Sequence, residues 1–356
     1  MANFFARALL KWHRDNPRPM PWSIEHPDPY HVWLSEIILQ QTRVKQGTDY
    51  YLRFVHHFPS IHDLASSSID DVMRLWQGLG YYTRARNLHK AAKHVVENLG
   101  GHFPDHHDAL LTLPGVGPYS AAAISSFAFG HKHVVVDGNV KRVIARYTGI
   151  TKSIDDTAVH EQIRKLAFDF MEKVSPALFN QAIMNFGALV CKPKAPLCNT
   201  CPISSHCFAF QNNIVDVLPV KTKKKPVRNR FFHFLLIRYR GRILMHRREE
   251  NDIWQGLYSL PHLEHTSSRS PGKIPLLAFA FSIIGSSTCM MESSDTKVYQ
   301  QILSHQLIHG RFYSCTLSER PKRLSKDYKW VNIAQLEELG KPKMIVQYFK
   351  SYSGPG

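Results

Sequence analysis

The chain has 356 residues, room for about two domains of ordinary size. Hydrophobic residues make up 44% and charged residues 21%, and no apolar run approaches the roughly 18–20 residues of a bilayer span, so a disordered chain and an integral membrane protein are both excluded. Lysine and arginine number 45 against 28 acidic residues, a formal net charge of +17 that points to a polyanionic partner, nucleic acid before an anionic membrane surface.

Near the N-terminus Phe4, Phe5, Leu9 and Trp12 share one helical face, and the amphipathic pattern stops before Pro17. Arg7, Lys11 and His13 interrupt any signal-peptide core, so with no targeting signal seen an intracellular protein is expected, cytoplasmic or nucleoid-associated. Apolar periodicity predicts helices over 30–46, 84–99, 119–129, 140–147, 158–173 and 176–190, with Gly100-Gly101 as a stop after the second. Residues 1–215 are therefore expected to form an all-α domain. The basic, proline-flanked stretch inside 216–229 reads as a linker. Beyond it, strands are expected at 231–239 and 242–245 around an Arg240-Gly241 turn, then at 298–303, 311–317 and 328–331. A loop is expected at 266–272 and a closing helix at 333–339, so residues 230–350 read as an α+β domain.

Three segments of the first domain carry candidate chemistry. Leu113-Pro114-Gly115-Val116-Gly117-Pro118-Tyr119 joins two helix-like segments, over about 108–129. Its glycines make a tight turn that exposes backbone N–H groups at the start of the second helix, a phosphate site built without side-chain charge and similar to a helix-hairpin-helix DNA-binding motif. In Val134-Val135-Val136-Asp137-Gly138-Asn139, a buried extended run turns into a helix. Asp137 or Asn139 is there either a helix N-cap or, for Asp137, a carboxylate held at a buried turn facing the same cleft. Glu36 has Val32, Trp33, Leu39 and Gln40 as helical neighbours. It is either paired with a buried arginine or desolvated, with a raised pKa suited to a general acid.

Four of the six cysteines crowd into 191–207 as Cys191-x6-Cys198-x2-Cys201-x5-Cys207, whereas Cys289 and Cys315 stand isolated. This is not a spread disulfide framework but a ligand set in a reducing compartment. The spacing admits zinc or an iron–sulfur cluster.

In this order, these features resemble the adenine DNA glycosylases of the MutY type, within the endonuclease III superfamily. The matching stretches are Pro21-Trp22, 32–42, Gly78-Leu79-Gly80-Tyr81-Tyr82, 84–92, 113–117, 136–142 and the cysteine run, spread over nearly all of the first 210 residues. The resemblance implies a 4Fe–4S cluster on Cys191, Cys198, Cys201 and Cys207. It also implies a cleft between a six-helix barrel and a cluster domain built from both ends of this half. Glu36 would protonate adenine at N7, Asp137 would stabilise an oxocarbenium-like sugar, and Tyr119 and Asn139 would place sugar, water and Glu36. Gln41, Leu79 and Tyr81 would fill or wedge the base stack, Gly115 and Gly117 would bind DNA backbone, and Trp22 would line the adenine pocket.

Residues 230–350 resemble the family's Nudix-like C-terminal domain, which reads 8-oxoguanine in the opposite strand. The signals are Trp254-Gln255-Gly256-Leu257-Tyr258-Ser259-Leu260-Pro261 and Leu303-Ser304-His305, where the family usually has Phe-Ser-His. Leu303 keeps bulk but loses an aromatic face, Ser304 offers a hydroxyl to a base edge, and the acidic Nudix box is absent. The resulting expectation is a monofunctional glycosylase removing adenine opposite 8-oxoguanine or guanine in double-stranded DNA. One alternative is a bifunctional pyrimidine-lesion glycosylase and AP lyase, whose relatives carry lysine where this chain has Tyr119. The other is a non-catalytic damage sensor, which would be expected to lose Glu36 or Asp137.

Overall fold

The computed structural model describes residues 2–22, 27–171, 173–222, 226–249, 252–267, 269–285, 289–294, 297–303, 305–321 and 323–351. They divide into two compact units, one comprising residues 1–66 and 87–224, the other 67–86 and 225–356. Among the described residues no helix is long and apolar enough to cross a membrane.

The helices in chain order begin with α1 (Ala2–Asp15), α2 (Pro29–Leu39), α3 (Val44–His57) and α4 (Ile61–Ser66). They continue with α5 (Ile69–Leu75), α6 (Thr83–Leu99), α7 (His107–Leu110), α8 (Pro118–Phe129), α9 (Gly138–Thr148), α10 (Thr157–Met171), α11 (Pro176–Leu189) and α12 (Phe208–Gln211). The first unit is helical throughout, with no strand among its described residues. The expected helix over 30–46 is two helices. Asp28 caps α2 by accepting the Tyr30 amide at 2.7 Å, and Pro29 occupies its first turn. The helix ends at Leu39 because Gln41 takes a left-handed φ of 56°, which turns the chain into α3.

Two cores organise this unit. Phe5 and Leu9 of α1 pack with Ile144 and Tyr147 of α9, Ile163 and Phe170 of α10, and Phe179, Ile183 and Phe186 of α11, so the chain's start and the end of the unit share one interior. Elsewhere α2 packs between α3 and α8 and is buried on nearly every side from Tyr30 to Ile38. That burial takes Glu36 out of water along with its apolar neighbours.

The second unit is a mixed sheet. Its strands are β1 (Arg228–Tyr239), β2 (Arg242–Arg247), β3 (Tyr258–Ser259), β4 (His262–His265), β5 (Cys289–Ser294), β6 (Tyr299–Ile302), β7 (Gln306–Leu317) and β8 (Tyr328–Val331). Arg240 and Gly241, with φ of 44° and 70°, make the tight turn that opposes Tyr239 to Arg242. β1 runs parallel to β7 over its length, the order is β3-β2-β1-β7-β5, and β4, β6 and β8 pair with β1, β7 and β2. The helix α13 (Lys273–Ile284) buries Leu276, Ala280 and Ile283 against Leu235, Ile237 and Cys315 on one face. The helix α14 (Ile333–Glu338) follows β8 behind an Asn332–Gln335 capping box. On the other face α15 (Lys343–Ser351) stacks Tyr348 on Phe312 at 3.9 Å. Period-two alternation along β1 and β7 supplies both faces.

Cys289 and Cys315 are not isolated: pairing of β5 with β7 brings them together in a disulfide, with Cα atoms 5.9 Å apart. Strand register, invisible to residue spacing, makes the pair.

Candidate active site

Glu36 is only 7% exposed and lines a cavity of about 1110 Å³ within the first unit, together with Tyr119, Asp137 and Asn139. Burial pushes its carboxyl up to about 7. A hydrogen bond with the Tyr119 hydroxyl pulls the other way, and the charge of Asp137 adds to the rise. Tyr119 in turn is held well above the ordinary phenol range, first by burial and then by Glu36 and Asp137. No buried arginine neutralises Glu36 among its described partners, so the desolvated reading of the sequence is the one realised. A carboxyl half protonated at neutral pH in an apolar wall can donate a proton to a ligand.

Asp137 combines both roles read from its sequence. Its Oδ1 caps α9 by accepting the amides of Asn139 and Val140 at 2.8 Å each, and its Oδ2 accepts Asn139 Nδ2 at 2.7 Å. It also lines the cavity. Burial raises its carboxyl above the usual aspartate range, while these N–H groups and Arg142 restrain the rise. Two acids thus share one cavity with different supports, Glu36 as the better proton donor and Asp137 as the better supported anion.

Arg142, to which the sequence reading assigned no role, holds this corner together. It donates to Asn139 Oδ1 at 2.8 Å and to the carbonyls of Gly187 and Cys191 at 2.7 Å. Gly187 permits the close approach of α11, since a Cβ there would lie 2.6 Å from Asn139 Cβ. The signal was present but faint: a guanidinium three residues after Asn139, beside the apolar Val140, Val143 and Ile144. Gln40, in the sequence only a helical neighbour of Glu36, is a site residue as well. It lines the cavity and donates to Ser120 Oγ at 2.9 Å.

Of the residues expected to meet DNA, Trp22, Gln41, Gly115 and Gly117 line this cavity. Trp22 packs edge-on against Tyr51, with centroids 5.2 Å apart. Gly115 has a φ of +80°, and a Cβ there would lie 2.7 Å from Asn87, so the turn requires glycine twice over. At Gly117 a Cβ would meet nothing within 4 Å, which leaves the N-terminus of α8 open to an approaching backbone. Leu79 and Tyr81 do not line the cavity. They belong to the segment grouped with the second unit, where Leu79 is buried and Tyr81 is exposed beneath the Arg84 guanidinium, 5.3 Å from its ring. Leu303 and His305 sit at the β6–β7 connection, closed by the Leu303 amide donating to the Gln306 carbonyl at 2.8 Å. Ser304 lies outside the described residues.

Cys191, Cys198, Cys201 and Cys207 gather around one small pocket walled by Val143, Phe186, Val190 and Ile203. Arg146 Nη1 lies 3.5 Å from Cys191 Sγ and also donates to the Lys192 carbonyl at 2.8 Å, tying the loop to α9. Burial pushes the Cys201 thiol up to about 12, with the other three cysteines adding to the rise. Burial likewise raises the thiols of Cys198 and Cys207, and the four adjoining sulfurs are a donor set for a positive metal centre, which would draw off thiol protons on binding.

Residues 34–167 match the HhH-GPD superfamily of base excision DNA repair proteins, and residues 233–351 match the NUDIX domain. The fold agrees with a solved thermostable thymine-DNA glycosylase, TM-score 0.53 and 29% identity over 59% of this chain and 97% of that one. The class is therefore a helix-hairpin-helix base excision repair protein with a Nudix-like second domain. The adenine DNA glycosylase of Buchnera aphidicola subsp. Acyrthosiphon pisum is 30% identical over 356 residues, covering 98% of this chain and 97% of its own. That of Buchnera aphidicola subsp. Baizongia pistaciae is 38% identical over 263 residues, covering 72% and 73%. The chain belongs to the adenine DNA glycosylase family.

Proposed function

We propose that this chain hydrolyses the N-glycosidic bond of adenine mispaired with 8-oxoguanine or guanine in duplex DNA. The observation that carries the reading is the pairing, in one cavity, of a proton-donating Glu36 with the amide-supported Asp137. An adenine in duplex must leave the stack to reach a carboxyl so deeply buried. Glu36 then donates its proton to N7, which turns the base into a better leaving group. Asp137, fixed by the amides of Asn139 and Val140, stabilises the positive charge that grows on the sugar. Tyr119 orients Glu36 through its hydroxyl, and Asn139, held by Arg142, orients Asp137. Among the described residues lining the cavity none is a lysine, which deprives the lyase alternative of its amine nucleophile. Both acids are retained, which a non-catalytic sensor would have no reason to keep.

The four cysteines would hold a 4Fe–4S cluster, which when bound supplies a common anchor for their thiolates and so fixes residues 191–207, the loop that Arg142 and Arg146 tie to α9. Zinc in place of iron in anaerobically purified protein would overturn that assignment. Leu303, Ser304 and His305 would read the base opposite adenine. The functional test is single-turnover adenine release from duplexes carrying 8-oxoguanine, guanine or cytosine opposite adenine. Release should be fastest opposite 8-oxoguanine, and Ser304→Ala should narrow the margin over guanine by about 1–3 kcal/mol. Failure to release adenine from any of these duplexes would overturn the reading.

A further inference from the structure

We propose that Asp105, His106 and His131 bind one divalent transition-metal ion of the zinc or nickel kind at the base of the helix-hairpin-helix, remote in sequence from the cysteines. One ligand atom from each lies within 4.8 Å of the others. Asp105 and His106 directly precede α7, and His131 follows the Gly130 turn that ends α8. The site thus bridges the two ends of the motif whose other extremity is the Gly115–Gly117 hairpin.

The hydrogen bonds around Ser125 prepare His131 for a metal. Ser125 Oγ is 3.2 Å from the Asp105 carbonyl oxygen, which can only accept, so the hydroxyl places its one proton there. The same oxygen is 3.3 Å from His131 Nδ1 and must therefore accept from an Nδ1–H. Nε2 keeps its lone pair, the tautomer a metal requires, and the second nitrogen is oriented in the way common for metal-bound histidine. Ser125 is fully buried, and its carbonyl also accepts the His131 amide at 3.1 Å, so ring and backbone are held from one residue. His106 is the N-cap residue of α7, yet its side chain makes no capping bond. Asp105 Oδ1 lies 3.7 Å from His106 Nδ1, and both side chains are largely exposed. Donors bound to one ion at about 2.0–2.2 Å stand roughly 3–3.5 Å apart, so closure from within 4.8 Å asks a shift of roughly 1–2 Å from two largely exposed side chains, with the His106 ring tilting from its present contact with the His131 ring, centroids 5.6 Å apart. Two imidazoles and one carboxylate suit zinc or nickel, whereas magnesium and calcium prefer oxygen donors alone.

The test is calorimetric titration of the iron-loaded, tag-free full chain with zinc chloride, with nickel and magnesium in parallel and iron measured before and after. Zinc should bind with one equivalent at this site and raise the melting temperature, as ligation of the folded state requires. Asp105→Asn, His106→Ala and His131→Asn should each weaken zinc at least about tenfold and abolish the thermal shift. Ser125→Ala should weaken it by about 10–100-fold, the usual cost of removing an orienting partner. Unchanged affinity in these variants would overturn the site, as would magnesium binding as tightly as zinc. So would zinc uptake matched by iron loss, or a loss of affinity that follows substitution of the neighbouring stacked pair His107 and His133 instead.

Discussion

Glu36 in the first unit and Asp252 in the second are both carboxylates drawn partly or wholly from water, yet they are shifted in opposite directions. Burial pushes Glu36 up to about 7 with only a phenol hydroxyl to offset it. Asp252 is held below the usual aspartate range by Arg230, which donates to its two oxygens at 2.8 and 2.7 Å and grips Glu264 at 2.7 and 2.6 Å. Arg230 itself, 8% exposed, is pushed up by the same two acids. In the sheet, buried charge is paired and serves architecture. In the helical cavity one acid is left without a cation, at a cost in stability that is the source of its chemistry.

Removing each charge should separate these roles. Glu36→Gln keeps shape but loses the acid, and should cut single-turnover adenine release by about 10²–10⁴. Because folded Glu36 binds its proton more tightly than the unfolded chain does, its contribution to stability is lost as pH rises from about 4.5 through about 7. The variant should therefore be more stable than wild type above pH 7, by up to about 3 kcal/mol in denaturant melts. A variant both inactive and less stable would break the contrast. Arg230→Met should do the reverse. It leaves Glu264 without its cation and Asp252 with Arg248 alone, at 3.2 Å, and since both carboxylates partly reach water the loss of unfolding free energy should be about 2 kcal/mol. Release of adenine from an adenine–guanine duplex per folded molecule should persist, and a fall in release without a fall in stability would refute the assignment. The smallest effect is the pH profile of wild-type release. Since Glu36 acts in its protonated form, the chemical step should slow towards tenfold per pH unit above about 7, and this slope should vanish in Glu36→Gln.

Much of the molecule was legible in one dimension. Most helices of the first unit, the Arg240-Gly241 hairpin and β8 follow from apolar periodicity and turn residues, which are local properties. Glu36 could be singled out because Val32, Trp33 and Leu39 share its helical face, and the Gly115–Gly117 turn because its backbone demands glycine. The elements that escaped are of another kind. The end of α2 at Leu39 is set by one residue, Gln41, held in a left-handed conformation that no local propensity favours. The helices α13 and α15 are placed by the sheet, whose two faces their apolar residues cover, and β5 by its pairing with β7.

What the sequence by itself determined, then, is which residues carry chemistry: Glu36, Asp137, the hairpin glycines and the four clustered cysteines stand out by type and spacing. Only the tertiary structure decided how they act. Distance along the chain says nothing of distance in space, and a pKa depends on what surrounds a group after folding. Glu36 and Asp137, 101 residues apart, become the unequal acids of one cavity because α2 is buried on nearly every side while α9 presents its first amides to Asp137. Arg142 acquires its role only when Gly187 of α11 and Cys191 just beyond that helix arrive, and Cys289 meets Cys315 only through the register of β5 on β7.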